Sequence, residues 1–275
     1  RNGKYVDKFP VKLRSPASNT LAVFDYENNK DYRLCIAGED KKIYVYDRSG
    51  VPVRGWTPFT TKGRVSDQVS FFRVKGKDYL VIADDQAVFL LDRTGNIRVS
   101  LREQVVKAKK SALRLTRDNE PVLVCTSPDG TLVNILFDGT VKRYAGQQKF
   151  SENHSFDILD IDGDGADEYI FLDQGQLAVY DDNKSGIFSR TFETKDLRGP
   201  YKYIFSGSDK RLGVYDNGVK QIFLLNRNGV NAIGFPRTGG PMFTIGKLSG
   251  GSNWNFIMDG ADGYLYNYGL SVGIN

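Results

Sequence analysis

A polar turn that ends in glycine recurs along the chain about every 45 residues, and this period limits the folds open to the sequence. The glycines of these turns are Gly50, Gly95, Gly139, Gly186 and Gly229. Successive turns are separated by 45, 44, 47 and 43 residues, and each lies between two short apolar runs. Glycine supplies the positive φ that a tight hairpin requires. The repeat therefore predicts a β-hairpin in each copy.

Two more apolar stretches precede each turn. They span residues 20–24 and 32–37 in the first copy, and residues 68–74 and 79–83 in the second. Four short antiparallel strands in about 45 residues are the period of a β-propeller blade. Residues 101–112 have some helical character, but they fall at a junction between copies. We therefore predict an all-β chain that folds as a β-propeller.

The two ends of the chain predict the number of blades. Residues 1–10 match residues 227–236, which are the turn and outer strand of a blade. The C-terminal stretches 242–247, 253–258 and 264–268 supply three strands without a clear fourth. We therefore predict that the N-terminal strand joins the C-terminal blade and closes a ring, which removes an open sheet edge. A competing interpretation assigns residues 1–10 to a blade of a larger protein upstream.

The prediction is thus a single six-bladed β-propeller domain over residues 1–275. Residues 1–10 form the outer strand of the closing blade, and residues 237–275 form its inner strands. The successive blades between them are residues 11–56, 57–101, 102–145, 146–193 and 194–236.

Composition excludes several classes of protein. The 275 residues carry 38 Lys and Arg against 33 Asp and Glu, so the net charge of +5 is small and dispersed, and we expect no nucleic-acid partner. The single histidine excludes a multi-histidine metal centre. Two cysteines exclude a disulfide framework, and we predict that Cys35 and Cys125 are buried thiols. No apolar run is long enough to cross a bilayer. The chain opens without an initiator Met or a signal peptide, which we interpret as the start of a processed segment.

Five acidic side chains lie within nine residues of the fourth copy. They are Asp160, Asp162, Asp164, Asp167 and Glu168. Carboxylates at this density repel one another unless a cation neutralises them, and calcium accepts six to eight oxygen ligands. An EF-hand needs Glu at its twelfth position, where this chain has Phe171, and the residues that follow predict a strand. The segment therefore predicts a calcium loop between two strands.

The series Asp160-x-Asp162-Gly163-Asp164-Gly165-x-Asp167-Glu168 resembles the FG-GAP/VCBS repeats of integrin-type propellers. The hairpin from Tyr44 to Trp56 resembles the repeat of quinoprotein-like (PQQ-like) propellers. The first resemblance implies a structural calcium ion. Its ligands would be Asp160, Asp162, Asp164, Asp167 or Glu168, and the Ala166 carbonyl. The loop from Asp25 to Asp31 is a degenerate second candidate, with Lys30 where glycine is expected.

Propellers serve as enzymes and as binding platforms, so the fold does not assign a function. We predict no catalytic residues, and we expect His154 to be an exposed side chain in a polar junction. Trp56 and Trp254 are expected to pack between blades rather than to stack on a sugar. The prediction is a calcium-braced, non-catalytic binding module, located outside the cytoplasm, with a protein or glycan partner at its rim or funnel. The alternatives are an assembly scaffold of a cell-envelope complex, or an enzyme that is quinoprotein-like or polysaccharide-active.

Overall fold

The computed structural model describes residues 3–6, 8–145, 149–248, 253–260 and 262–270. Within these ranges the chain forms 24 strands and no helix, so the all-β prediction is confirmed. The residues predicted to have helical character, 101–112, contain only a two-residue strand. In this described part, no helix has the length and apolar character that spanning a membrane requires.

The strands form six sheets, which follow one another along the sequence. The first contains β1 (Ala22–Phe24), β2 (Arg33–Ala37), β3 (Lys42–Asp47) and β4 (Phe59–Thr60), in that order. The second contains β5 (Ser70–Val74), β6 (Lys77–Ala83), β7 (Val88–Leu91) and β8 (Ile97–Val99). The third contains β10 (Arg114–Leu115), β11 (Leu123–Thr126), β12 (Leu132–Ile135) and β13 (Val141–Tyr144).

The last three sheets follow the same order. The fourth contains β14 (Ser155–Leu159), β15 (Glu168–Asp173), β16 (Gln176–Tyr180) and β17 (Gly186–Thr191), with β9 (Lys110–Ser111) parallel to β14. The fifth contains β18 (Leu197–Ile204), β19 (Lys210–Asp216), β20 (Gln221–Leu225) and β21 (Arg237–Thr238). The sixth contains β22 (Phe243–Gly246), β23 (Trp254–Asp259) and β24 (Leu265–Leu270).

The chain divides into two compact units. One comprises Arg1–Lys109, Pro121–Leu123 and Val133–Tyr144, and the other comprises Lys110–Glu120, Val124–Leu132 and Ala145–Asn275. The core of the first unit joins buried residues of the first two sheets, among them Ile43 and Leu80. In the second unit, one cluster joins the fourth and fifth sheets and another joins the fifth and sixth. Burial of apolar side chains between neighbouring sheets therefore stabilises each unit.

The hairpin turns follow the prediction in four of five copies. Gly50, Gly95, Gly139 and Gly229 all have positive φ, between 73° and 88°. The prediction for Gly186 is wrong, because this residue begins β17 and pairs with Tyr180. The turn of that copy is closed instead by Asp181, whose carboxylate accepts the Ser185 N–H at 2.7 Å, and Lys184 takes the positive φ of 67°.

A carboxylate at the end of the second strand fixes the segment that leads into four of the sheets. These aspartates are Asp84, Asp173, Asp216 and Asp259. Their side chains accept backbone N–H groups of Gly63, Ser151, Thr194 and Met242, respectively, at 2.6–3.1 Å. Each bond joins the second strand of a sheet to the chain that enters its first strand.

The first and sixth sheets share one hairpin geometry. The Tyr44 hydroxyl donates to Asp40 at 2.5 Å, and the Tyr266 hydroxyl donates to Asp262 at 2.5 Å. In burial the two hairpins differ, because Ile43 of β3 is 0% exposed and Leu265 of β24 is 77% exposed.

The predicted ring closure stays a prediction. Residues 3–6 and 8–10 carry no strand, and the sixth sheet has three strands within the described residues. Residues 1, 2 and 7 of the predicted closing strand lie outside the described residues, as do residues 249–252, 261 and 271–275 of the predicted last blade.

Candidate metal centre

The acidic loop joins β14 to β15 in the fourth sheet. Its backbone turns sharply at two glycines, with φ of 87° at Gly163 and 99° at Gly165. A Cβ at Gly163 would lie 2.9 Å from the carbonyl oxygen of Gly207, so the loop accepts no larger residue there without a shift. The pairing of Leu159 with Glu168 closes the base of the loop. The two strands thus bring both ends of the acidic segment together.

Three of the predicted ligands converge. One carboxylate oxygen each of Asp160, Asp162 and Glu168 lies within 4.8 Å of the other two. Asp164 is exposed, and its carboxylate accepts the Ala166 N–H at 2.8 Å. The Asp167 carboxylate accepts the Arg117 N–H at 3.0 Å. Asp164 and Asp167 are outside this cluster, so the full predicted ligand set, with the Ala166 carbonyl, stays a prediction.

The carboxylates of this loop differ strongly in electrostatic environment. Burial raises the pKa of Glu168 to about 7, and the charges of Asp162, Asp164 and Asp160 add to this increase. Burial also raises the pKa of Asp167, against the opposing Arg117 N–H. Burial acts in the same direction on Asp160, but its bonds to Lys210 and the Gly163 N–H lower its pKa overall. The charged forms of Glu168 and Asp167 are therefore less stabilised by their surroundings than the charged form of Asp160.

Two basic side chains reach Asp160 from neighbouring sheets. Lys210, the first residue of β19, places Nζ 3.0 Å from Asp160 Oδ2. Arg117, which follows β10, places Nη1 3.3 Å from the same oxygen and Nε 3.5 Å from Asp167 Oδ1. Neither cation is predicted by the sequence of the acidic loop itself. Arg117 precedes Asp160 by 43 residues, so the repeat period itself was the signal that relates them.

The donor set fits calcium. Asp160, Asp162 and Glu168 offer only carboxylate oxygens, which hard divalent cations prefer. Glu168 is 2% exposed and Asp160 is 5% exposed. Burial of a carboxylate without a positive partner costs free energy, and an ion among these side chains would supply the positive charge. These three side chains would hold the ion, whose contribution would be to neutralise and brace the loop.

The β1–β2 loop, residues 25–32, has positive φ at the same two positions as the acidic loop, but its charged residues differ. Asn28 and Lys30 have positive φ where the acidic loop has Gly163 and Gly165. Arg33 stands where the acidic loop has Glu168, and it pairs with Asp31 at 2.7 Å. The Asp25 carboxylate accepts two backbone N–H groups, and Glu27 pairs with Arg93 at 2.6 Å. Two carboxylates of this loop are therefore paired with arginines of the chain, one at the start of β2 and one in the β7–β8 turn of the second sheet.

The expected exposure of His154 is wrong, because this residue is fully buried. Its Nε2 lies 2.8 Å from Thr126 Oγ1, and its Nδ1 lies 2.6 Å from the carbonyl oxygen of Ser151. The aromatic rings of Phe150 and Phe171 lie beside the imidazole. The polar residues that precede His154 in the sequence favoured the incorrect prediction of exposure. His154 therefore has a packing role, with both ring nitrogens bonded.

Other structural expectations are confirmed. Cys35 and Cys125 are both fully buried. Trp56 packs against the core of the first unit and donates its indole N–H to the Ile43 carbonyl at 3.0 Å. Trp254 packs against Phe205, with ring centroids 4.9 Å apart.

Comparisons with known proteins place the fold. No family model matches the chain, and no curated protein matches it in sequence. Among solved structures, the chain is similar to BBS1N in its complex with ARL6DN, with 11% identity, a TM-score of 0.57, and coverage of 94% of this chain and 78% of that one. The chain is also similar to virginiamycin B lyase of Staphylococcus aureus, with 12% identity, a TM-score of 0.55, and coverage of 94% of this chain and 86% of that one. For Sqt1 of Saccharomyces cerevisiae, the identity is 14%, the TM-score is 0.53, and the coverage is 93% of this chain and 76% of that one. These similarities support a β-propeller fold.

Proposed function

We propose that the chain is a non-catalytic β-propeller module that binds a protein partner and is braced by one calcium ion. The similarity to BBS1N carries the binding proposal, because that structure contains a protein partner bound to a chain of this fold. The convergence of Asp160, Asp162 and Glu168 supports the calcium brace. We also propose a location outside the cytoplasm, where calcium modules generally bind at about 10⁻⁴–10⁻³ M.

The buried histidine favours binding over lyase chemistry. A His-to-Ala variant of the similar virginiamycin B lyase, in a structure with quinupristin, is catalytically inactive. The single histidine of this chain is buried, and both its ring nitrogens are bonded. A general base must reach the proton that it removes, and His154 has no such access.

We also propose six blades with residues 1–10 in the outer position of the closing blade. A Cβ at Gly95, in a hairpin turn of the second sheet, would meet Thr57, which precedes β4 of the first sheet. A Cβ at Gly139, in the third sheet, would meet Ser100, which follows β8 of the second. The end of one blade therefore covers a hairpin turn of the next blade. A Cβ at Gly50 would likewise meet Val11 and Phe9. This contact supports residues 3–11 as the end of a blade that precedes the first sheet.

Backbone geometry supports the same assignment. Positive φ occurs at Gly50 and Gly55, five residues apart, and at Gly229 and Gly234 with the same separation. Gly3 and Lys8 repeat this pair of conformations at the N-terminus, with φ of 73° and 61°. Among the described residues, Leu265 of β24 is 77% exposed, whereas its counterpart Ile43 is buried in the core that the first two sheets share, and this difference supports a further strand beside β24.

Isothermal titration of the chelator-treated protein with Ca²⁺ tests the brace. We expect one binding event and a higher melting temperature with calcium, because a ligand that binds only the folded state stabilises it. Glu168→Gln removes a ligand charge and should weaken binding at least tenfold. Asp182→Asn, in an exposed hairpin turn, is the matched control and should bind as the wild type does. Absence of both heat and melting shift in the wild type contradicts the brace.

Binding of a purified partner tests the main proposal. Proteins captured by chemical crosslinking from the source cells are purified, and their affinity for the chain is measured in solution. We expect one of them to bind saturably in a binary mixture. A glycan array is probed in parallel with the same preparation. Saturable binding to glycans alone would replace the protein partner with a glycan, and turnover of a bound compound would contradict the non-catalytic assignment.

A further inference from the structure

Lys210 forms a buried ion pair with the acidic loop. The side chains of Lys210 and Asp160 are 6% and 7% exposed, and Nζ lies 3.0 Å from Oδ2. The other oxygen, Oδ1, accepts the Gly163 N–H at 2.6 Å. Asp160 is therefore fixed at both oxygens by groups of the chain itself. A buried pair of this kind loses its counter-charge when either partner is removed.

The loop from β1 to β2 shows how a turn with the same positive-φ positions is neutralised by the chain. There, Arg33 stands in the place of Glu168 and pairs with Asp31. Arg93, in the β7–β8 turn of the second sheet, pairs with Glu27. Cations of the chain thus accompany both loops, and in the acidic loop they are Lys210 and Arg117. In the acidic loop, the Lys210 ammonium group bonds Asp160, while Asp162 and Glu168 each bring one carboxylate oxygen to the same cluster, and this geometry leaves their negative charge for an external ion.

We propose that Lys210 is an internal counter-cation that holds Asp160 in place when no ion is bound and lowers the affinity of the loop for Ca²⁺. The inference rests on the proposed calcium site and adds a residue that sets its affinity. An ion held by Asp160 would share this carboxylate with the Lys210 ammonium group, whose Nζ lies 3.0 Å from Oδ2. Two positive charges beside one buried carboxylate repel each other. The lysine would then set the calcium concentration at which the loop becomes occupied.

Titration of Lys210→Met with Ca²⁺ tests this role. We expect about tenfold tighter binding than in the wild type, because the repelling charge is removed while the chain length of the side chain is nearly kept. Lys210→Arg retains the charge and should bind close to the wild-type affinity. Lys220→Met is the matched control and should leave the affinity unchanged, because Lys220 is exposed in the turn between β19 and β20, beyond the end of β19 that is roughly 20 Å from Lys210 along the strand.

Melting curves supply a second readout. In chelator, Lys210→Met should melt below the wild type, because Asp160 loses its closest counter-charge. Saturating Ca²⁺ should close this gap, so the calcium-dependent shift should be larger in the variant than in the wild type. Lys210→Gln replaces the methionine variant if the latter does not fold.

The outcomes separate the two proposals. Wild-type affinity and unchanged melting in Lys210→Met overturn the counter-cation role while leaving the calcium brace intact. Calcium binding by Lys210→Met but not by the wild type contradicts the brace and supports Lys210 as the cation that replaces the ion. If neither protein binds Ca²⁺, both the brace and the affinity-setting role are overturned.

Discussion

At the scale of single residues, the role of a buried carboxylate depends on how many N–H and O–H groups donate hydrogen bonds to it. Asp216 is fully buried and accepts N–H groups of Thr194 and Gly218 at 3.0 and 3.1 Å, together with the Thr194 hydroxyl. It is one of the four aspartates that end a second strand and fix the segment leading into the sheet. Glu168 is buried as well, but a single backbone N–H donates to it, and its pKa rises. The first arrangement fixes the backbone, and the second leaves charge available for an ion.

Asp216→Ala should lower the free energy of unfolding by about 2–3 kcal/mol, because two backbone N–H groups and a hydroxyl lose their acceptor in a buried site. Denaturant unfolding measures this change. Asp182→Ala, in an exposed turn, should change it by less than about 0.5 kcal/mol. Equal stability of the two variants would contradict the fixing role of Asp216.

At the scale of elements, one aspartate links three strands of the second unit. Asp157 on β14 accepts Arg114 Nε on β10 at 2.8 Å and pairs with Lys202 Nζ on β18 at 2.7 Å. Burial alone would raise the pKa of Asp157, but these two cations lower it below its usual range. The first strands of three successive sheets are therefore tied through a single carboxylate.

The ion pairs of Asp157 with Arg114 and Lys202 should affect the pH dependence of stability. The folded-state pKa of Asp157 lies below its unfolded value, so its contribution is complete above about pH 4 and is lost as the pH falls through the folded-state pKa. Asp157→Asn should reduce stability at pH 7 by about 2 kcal/mol and should flatten the decline below pH 4. Unfolding curves of both proteins between pH 2.5 and 7 measure the difference. Parallel profiles would contradict the tie.

The sequence predicted elements better than it predicted contacts between them. Apolar runs and turn glycines located most strands, because alternation and positive φ are local properties of the chain. Lys210 and Arg117 could not be predicted as partners of Asp160, because they lie 50 and 43 residues from it and meet it only across sheets. Gly186 was misplaced because Lys184 takes the positive φ in its place. The acidic cluster could be predicted because its residues lie within nine positions of one another in the sequence.

At the scale of the whole molecule, truncation can distinguish a closing strand formed by the N-terminus from the contacts that Phe9 and Val11 make at Gly50. A variant that begins at Phe9 keeps the side chains of Phe9 and Val11 that cover Gly50. If residues 1–8 contribute to a closing strand, this variant should lose several kcal/mol of stability, because paired backbone and apolar cover are removed together. A variant that begins at Lys12 should lose more.

Thermal and denaturant unfolding of the two truncated variants measures these losses. A variant beginning at Phe9 that melts as the full chain does would contradict closure, and it would favour residues 1–10 as the remnant of an upstream blade. If only the variant that begins at Lys12 loses stability, the stabilisation comes from the contacts of Phe9 and Val11 with Gly50.

The positive φ values shared by the β1–β2 and acidic loops have a consequence for the protein in chelator. Asn28 and Lys30 take positive φ at the positions of Gly163 and Gly165, in a loop with two carboxylates that pair with arginines of the chain. In that loop the counter-charges come from the chain itself. If the acidic loop binds Ca²⁺ as proposed, the protein should therefore stay folded at calcium concentrations too low to fill the site.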